Sequence, residues 1–375
     1  MIMEVKGGRI LEMVVPFLAM VTMEGCTIAL TILAKTAITY GMSTFVFVVY
    51  TNAVASVILL PYSFIFHYNQ RLEFQQSLFS FPLLLRVFLL GLTGICISQN
   101  LAFLGLSYSS PIVVCAMGLM LPSISFLLSI LLGKTKIEWE NPNFITKVVG
   151  TVISVIGATC EELYLGPTVR QHPSSSTHLQ FKQKLLVFTS TTDRWIFGGL
   201  LLAAATLCVS IWNIIQLGVV KQYSQVMKVG SFYSIVGTFM SAIVAYFVVN
   251  DSSAWTIKSS FDLYLIIATG TFSGLIRNRV QIWCMQKKGP HYVPMFKPFG
   301  ILFATFFGAT FFGDTFHYGS VMAAFIAGMG YLTVMWGQVN EDRGVGKDKD
   351  VDDKNNDDSL SSAKVPLLDD EESNV

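Results

Sequence analysis

Runs of about twenty predominantly apolar residues recur along the whole chain, and no other feature narrows the fold as much. A helix of that length crosses roughly 30 Å of hydrocarbon. Ten such spans are predicted, at approximately 13–34, 44–66, 83–105, 111–132, 147–166, 195–217, 229–249, 262–284, 292–313 and 318–337. They are helix-length runs rather than the alternating ten-residue segments of a membrane β-barrel. In lipid every backbone N–H needs an internal partner, so helices are the forced choice. The chain therefore reads as an all-α membrane protein of about ten transmembrane helices. Charged residues make up only 13% of its 375 residues and the mean hydropathy is +0.57, whereas soluble domains carry about 25% charged residues. A net charge of +1 offers no field for nucleic acid.

Signatures of catalysis are missing. The sequence contains no P-loop, HExxH, GxSxG or Rossmann fingerprint. His67, His172, His178, His291 and His317 are scattered through loops and span ends. Cys26, Cys96, Cys115, Cys160, Cys208 and Cys284 show no metal-ligand spacing and read as apolar fillers. No catalytic residue, metal or cofactor is expected, and the missing P-loop argues against ATP-driven pumping.

Lys and Arg concentrate in alternate connections: Lys6 and Arg9, Arg71 and Arg86, Lys134 to Lys147, Lys221 and Lys228, Lys287 and Lys288. Basic loops stay in the cytoplasm, so both termini are placed there. The fifth loop, with Arg170, Lys182, Lys184 and Arg194, is the counterexample. That polar loop divides the chain into two five-span halves. An odd number of spans inserts the second half upside down, the geometry of inverted repeats with a solute path at their interface. The organisation expected is a cytoplasmic N-terminus at 1–12, a first repeat at 13–166 and a polar extracytoplasmic loop at 167–194. A second repeat at 195–337 and an acidic cytoplasmic tail at 338–375, too polar to bury a core, complete it. In the tail, Leu367-Leu368 resembles a dileucine signal for sorting machinery, although Ala363 stands where an acidic residue is usual. Pro122 and Pro298 are expected to kink their spans.

Polar side chains inside the spans are the candidate substrate- and proton-binding residues. An ionisable group at a helix centre costs about 2.5–3.5 kcal/mol on insertion scales, so it faces a cavity or a partner. Glu24 is such a group, and Thr27, Thr31 and Lys35 follow it along one helix face. Asn52, the pair Gln99 and Asn100, and the cluster of Asn213 and Gln216 beside Trp212 add uncharged amides. Span eight carries Arg277, Arg279 and Gln281. Either arginine could hold a carboxylate through its planar fork, or pair with Glu24. For each of these residues a purely interhelical hydrogen bond is the competing role. Lys297 sits at the end of span nine, where snorkelling to the interface suffices.

The strings Lys35-Thr36-Ala37, Gly41-Met42-Ser43, Phe47-Val48-Val49-Tyr50 and Leu60-Pro61 resemble the first two spans of plant EamA-type transporters. These are the nodulin-like, walls-are-thin-related proteins, also called UMAMIT. Trp283-Cys284, Lys287-Lys288-Gly289-Pro290 and Met295-Phe296-Lys297-Pro298 are similar to their most distinctive motif. Gly313-Asp314, Tyr318-Gly319-Ser320, Gly328 and Trp336-Gly337 match the family's end. The resemblance implies ten helices in two inverted five-helix EamA repeats of the drug/metabolite transporter superfamily. It implies bidirectional or export-biased movement of amino acids, or auxin-related cargo, without a cofactor. Departures occur at Thr51, where many members carry Arg, at Glu24, where many carry Gln, and at Gly133-Lys134-Thr135 and Arg277-Asn278-Arg279.

The expectation is a secondary transporter of amino acids or related small organic solutes, seated in the lipid bilayer. The plasma membrane is favoured over the vacuolar membrane. An auxin or other metabolite transporter of the same fold, and a non-transporting scaffold or receptor, are the alternatives.

Overall fold

A computed structural model describes residues 2–68, 81–133, 135, 137–163, 195–222, 226–257, 259–289, 292–311, 319 and 321–341. Ten helices occur among them: α1 Ile2–Thr39, α2 Thr44–Tyr68, α3 Phe81–Tyr108, α4 Pro111–Leu131, α5 Pro142–Leu163, α6 Trp195–Gln222, α7 Val226–Val248, α8 260–288, α9 Lys297–Phe311 and α10 Val321–Glu341. Eight are long and apolar enough to cross a membrane. The other two are α8, interrupted by Arg277 and Arg279, and α9, described for 15 residues. Large apolar side chains such as Val152, Ile156, Phe239, Phe325 and Leu332 point outward, as a lipid-facing surface requires. The polar loop before α6, the acidic tail with Leu367 and Leu368, and the Gly313-Asp314 corner lie outside the described residues.

Local signals account for the helix ends. Ser110 caps α4 ahead of Pro111, and Ser259 caps α8 by accepting from the Phe261 N–H. At the far end of α8, Gly289 takes φ +94, which stops the helix at little steric cost. Pro122 does interrupt its span, since α4 breaks at Met120 just ahead of it. Pro298 does not act as expected. It is the second residue of α9, where a missing N–H costs no helical bond, so no kink results.

The packing is two-fold in pattern. Helix α2 packs on α7, and α4 on α9. Helix α3 packs on α6 and α7 just as α8 packs on α1 and α2, and α4 meets α6 as α9 meets α1. The α5–α10 crossing shows the relation residue by residue. A Cβ at Gly150 would lie 2.7 Å from the Val334 nitrogen, and one at Gly330 would lie 2.4 Å from the Ser154 nitrogen. Further out, Gly157 lies against Ala327 and Gly337 against Lys147. Residue numbers rise along α5 as they fall along α10, so these equivalent helices run antiparallel. Small residues let the two backbones approach closely, the usual means of helix association in lipid. The fold is all-helical, in two inverted five-helix repeats.

Both repeats carry one further common feature. Helix α3 contains a π-helical turn at Leu92–Ile97, and its counterpart α8 contains one at Phe272–Ile276. Each wide turn has glycine at its contacts with neighbours: Gly94 under Trp212, and Gly274 against Ala55. Turns of this kind are frequent at functional sites.

Candidate functional site

Glu24 is buried, at 3% exposure, on the face of α1 that meets α8 and α9. Its Oε1 lies 3.2 Å from Lys297 Nζ and 3.9 Å from the Arg277 guanidinium. Helix α1 belongs to the first repeat, and α8 and α9 to the second, so the cluster spans the repeat interface. Two cations thus converge on one carboxylate. The carboxylate also lies beside the first turn of α9. Arg277 is placed by the π turn that ends one residue before it. Lys297 is placed by the short turn Pro294–Phe296, whose first carbonyl accepts a 2.6 Å bond from the Tyr331 hydroxyl of α10. In the same loop Tyr292 packs on Phe296.

Of the residues singled out in the sequence, Glu24 and Arg277 are brought together. The reading of Lys297 as a snorkelling interfacial lysine is corrected: its side chain is one-third exposed and its ammonium turns inward to Glu24. A buried carboxylate attracts the nearest cation more strongly than the interface does. In the sequence it is marked by its adjacency to Pro298 at a span end and by its place in the Met295-Phe296-Lys297-Pro298 string.

Thr27 and Thr31 donate back to the carbonyls of Met23 and Thr27 on their own helix. Lys35, on the same stripe, is fully buried and donates to the carbonyls of Leu106 and Ser107 at 2.9 and 2.8 Å. It closes the C-terminal end of α3, where a cation suits the helix dipole.

Asn52 and Gln99 meet, the Asn52 amide donating to Gln99 Oε1 at 2.6 Å. Asn100 donates to the Cys96 carbonyl and to Ser241 on α7, while its own buried Oδ1 has no partner among the described residues. The Trp212 N–H beside Gly94 is likewise unpaired among them. Asn213, Gln216 and Gln281 are half-buried. Arg279 is also half-buried, two residues beyond the arginine that reaches Glu24. The described His, Cys, Asp and Glu residues include no group that could hold a metal ion.

The arrangement can hold a carboxylate between two cations that belong to different helices. Its chemistry is charge recognition.

No family model matches the chain. Curated relatives do. A WAT1-related protein of Arabidopsis thaliana is 57% identical over 341 residues, covering 90% of each chain. A second from the same plant is 55% identical over 335 residues, covering 88% of this chain and 89% of its own. A third is 35% identical over 329 residues, covering 88% of both. Near-full-length identity at this level, on a ten-helix membrane fold, makes the chain a member of the WAT1-related family of multi-pass membrane proteins.

Proposed function

We propose that this protein is a secondary transporter of amino acids or related small organic solutes, bidirectional or export-biased. The observation that carries the proposal is the Glu24–Lys297–Arg277 cluster, in which two half-buried cations meet a buried carboxylate between the inverted repeats. In such folds the solute site lies at the repeat interface near the midplane. Charged groups in that place are costly unless they face a partner or a pathway. Rocking of one repeat against the other would change the contacts of α1 with α8 and α9, and with them the balance among the three charges. A solute carboxylate fits the arginine fork and the lysine. A solute ammonium would find its counter-charge on Glu24.

The proposal includes the cytoplasmic placement of both termini, residence at the plasma membrane and the partition into repeats at 13–166 and 195–337. Auxin or another metabolite carried on the same fold is the nearest alternative, and it would use the same cations. The test is a panel of radiolabelled neutral, acidic and basic amino acids together with indole-3-acetic acid, measured as uptake and efflux in proteoliposomes. Saturable flux of at least one amino acid above protein-free vesicles supports the reading. Flux of none of the panel, with correctly inserted protein, contradicts it.

A further inference from the structure

Helix α4 changes partners half-way along its length. Its first half, Pro111–Leu119, packs on α9 and α1, while its second half, Leu121–Leu131, packs on α6 and α5. The first contact is apolar and tight. Ile28 and Ile32 of α1, Ile112 of α4 and Ala304 of α9 are all buried there, with Phe303 and Phe307 against them. Beyond them Lys35 ties α1 to the carbonyls of Leu106 and Ser107. This junction is therefore sealed toward the face of the membrane at which α1 ends. Toward the face at which α1 begins, each wall closes on itself. Met20, Cys284, Val293 and Phe296 join α1 to α8 and to the turn before α9, while α4 stays with α6.

Gly118 stands where the two halves of α4 part, and its neighbours on the helix fix its direction. Val114 joins Ala102 of α3 and Leu202 and Ala203 of α6 in one cluster. Cys115 joins Ile28 of α1 and Ala304 of α9 in another. Gly118 lies between these two on the helix wheel, so it faces the axis between the repeats. The exposed Leu127 stands about 180° round the helix from it. Gly118 is nevertheless exposed, and a Cβ there would find no atom within 4 Å. Ser125 and Ser129 continue the same face, half-buried. The inward face of α4 thus looks onto open space.

The charged junction borders that space. Helices α4 and α9 run antiparallel, with Ile112 by Ala304 and Leu119 by Ile301. Gly300 approaches Cys115, and one turn nearer the start of α1 stand Lys297 on α9 and Gly118 on α4. The Lys297 and Arg277 side chains are 33% and 26% exposed, whereas that of Glu24 is 4% exposed. Cations at this depth are costly against lipid, so their exposed parts face water. We infer that a water-filled cleft opens on the face of the membrane at which α1 begins. It runs between an α4–α6 wall and an α1–α9 wall, passes Gly118 and admits a small organic anion to Lys297 and Arg277. The Ile28–Ile112 seal closes it beyond them. This inference rests on the transporter reading and adds to it the route to the charges and the side from which they are reached. In the proposed orientation that side is the cytoplasm.

The test is Gly118→Cys in the full-length protein, in sealed proteoliposomes. A tag at the N-terminus sorts the vesicles into those that carry the start of α1 outside and those that carry it inside. Two membrane-impermeant methanethiosulfonates are added outside, one bearing an ethylsulfonate and one an ethyltrimethylammonium. Each rate is normalised to that reagent's rate with a simple thiol in solution. Modification at position 118 is read by fragmentation of its peptide, beside the parent protein as background. The ethylsulfonate is expected to react about tenfold faster in tag-outside vesicles, and there about threefold faster than the cation, because two cations face one carboxylate. Should Gly118→Cys fail to accumulate, Ser125→Cys on the same face carries the test. No modification from either side overturns the inference. So does a rate in tag-inside vesicles that equals or exceeds the tag-outside rate, or a preference for the cation. The transport reading stands or falls separately. One-sided access without flux of any labelled solute would sink transport and leave the cleft. Flux without access at position 118 would do the reverse.

Discussion

Helices α1, α8 and α9 meet at one junction between the repeats, and α6, α3 and α4 meet at its counterpart. The first junction is charged, with Glu24 against Lys297 and Arg277. In the second, Thr206 and Ser210 reach the carbonyls of Met117 and Leu121 at 3.4 Å, and Trp212 lies on Gly94. Each of those hydroxyls also bonds the carbonyl four residues back on its own helix. The backbone scheme is therefore shared while the side-chain chemistry is not. Symmetric packing rests on small residues that both repeats possess, as at Gly150 and Gly330. Among the described residues, the cluster of opposite charges stands at only one of the two equivalent junctions.

The largest effect is expected from breaking the packing that the halves have in common. A Cβ at Gly157 would lie 2.4 Å from the Ala327 nitrogen, and backbone cannot yield as a side-chain tip can. Gly157→Ala should cost about 1–3 kcal/mol, typical of overpacking. Size-exclusion thermostability would read this as a fall of roughly 2–6 °C in melting temperature. An unchanged melting temperature would mean that the crossing is looser than described.

The charged junction should respond next. Lys297→Met removes the nearer cation from Glu24, and flux of a transported solute should fall about tenfold while abundance holds, the factor that roughly 1.4 kcal/mol supplies. A smaller loss, a few-fold, is expected of Arg277→Lys, since the ammonium keeps the charge and loses the planar fork. Arg279→Lys serves as its control. Equal effects of the two arginine variants would argue against Arg277 as the residue that recognises the solute.

The smallest effect belongs to the uncharged junction. Thr206→Ala removes a hydroxyl whose shorter bond, 2.8 Å, is to its own helix at Leu202. Flux should stay within about twofold and stability within about 0.5 kcal/mol, as for substitutions away from special features. A large loss there would show that the two junctions share the work.

Much of the fold could be read from the sequence because lipid permits so few solutions. Apolar runs of helix length report the helices directly, and the odd number of spans on either side of the polar loop pointed to the repeat. Glu24 and Arg277 stood out because a charge at mid-span is expensive. Lys297 did not, because a lysine near a span end has a cheaper explanation, and only the packing of α1 against α9 shows which way it turns. The π turns leave no periodic trace, since one wide turn merely rotates the face that the next helical turns present. Pro298 misled for a related reason: a proline reads as a kink only if the helix has already begun.

The central claim is that the charged junction is the solute site. Its most direct test is Glu24→Gln measured beside the parent in proteoliposomes, with the amino-acid and organic-acid panel and matched amounts of inserted protein. Glutamine keeps the size and hydrogen-bonding capacity of the side chain while leaving Lys297 and Arg277 without their anion. The account predicts saturable flux in the parent and at least about a tenfold loss in the variant, a change of roughly 1.4 kcal/mol. Equal flux from both proteins, with the same affinity for the solute, would contradict it.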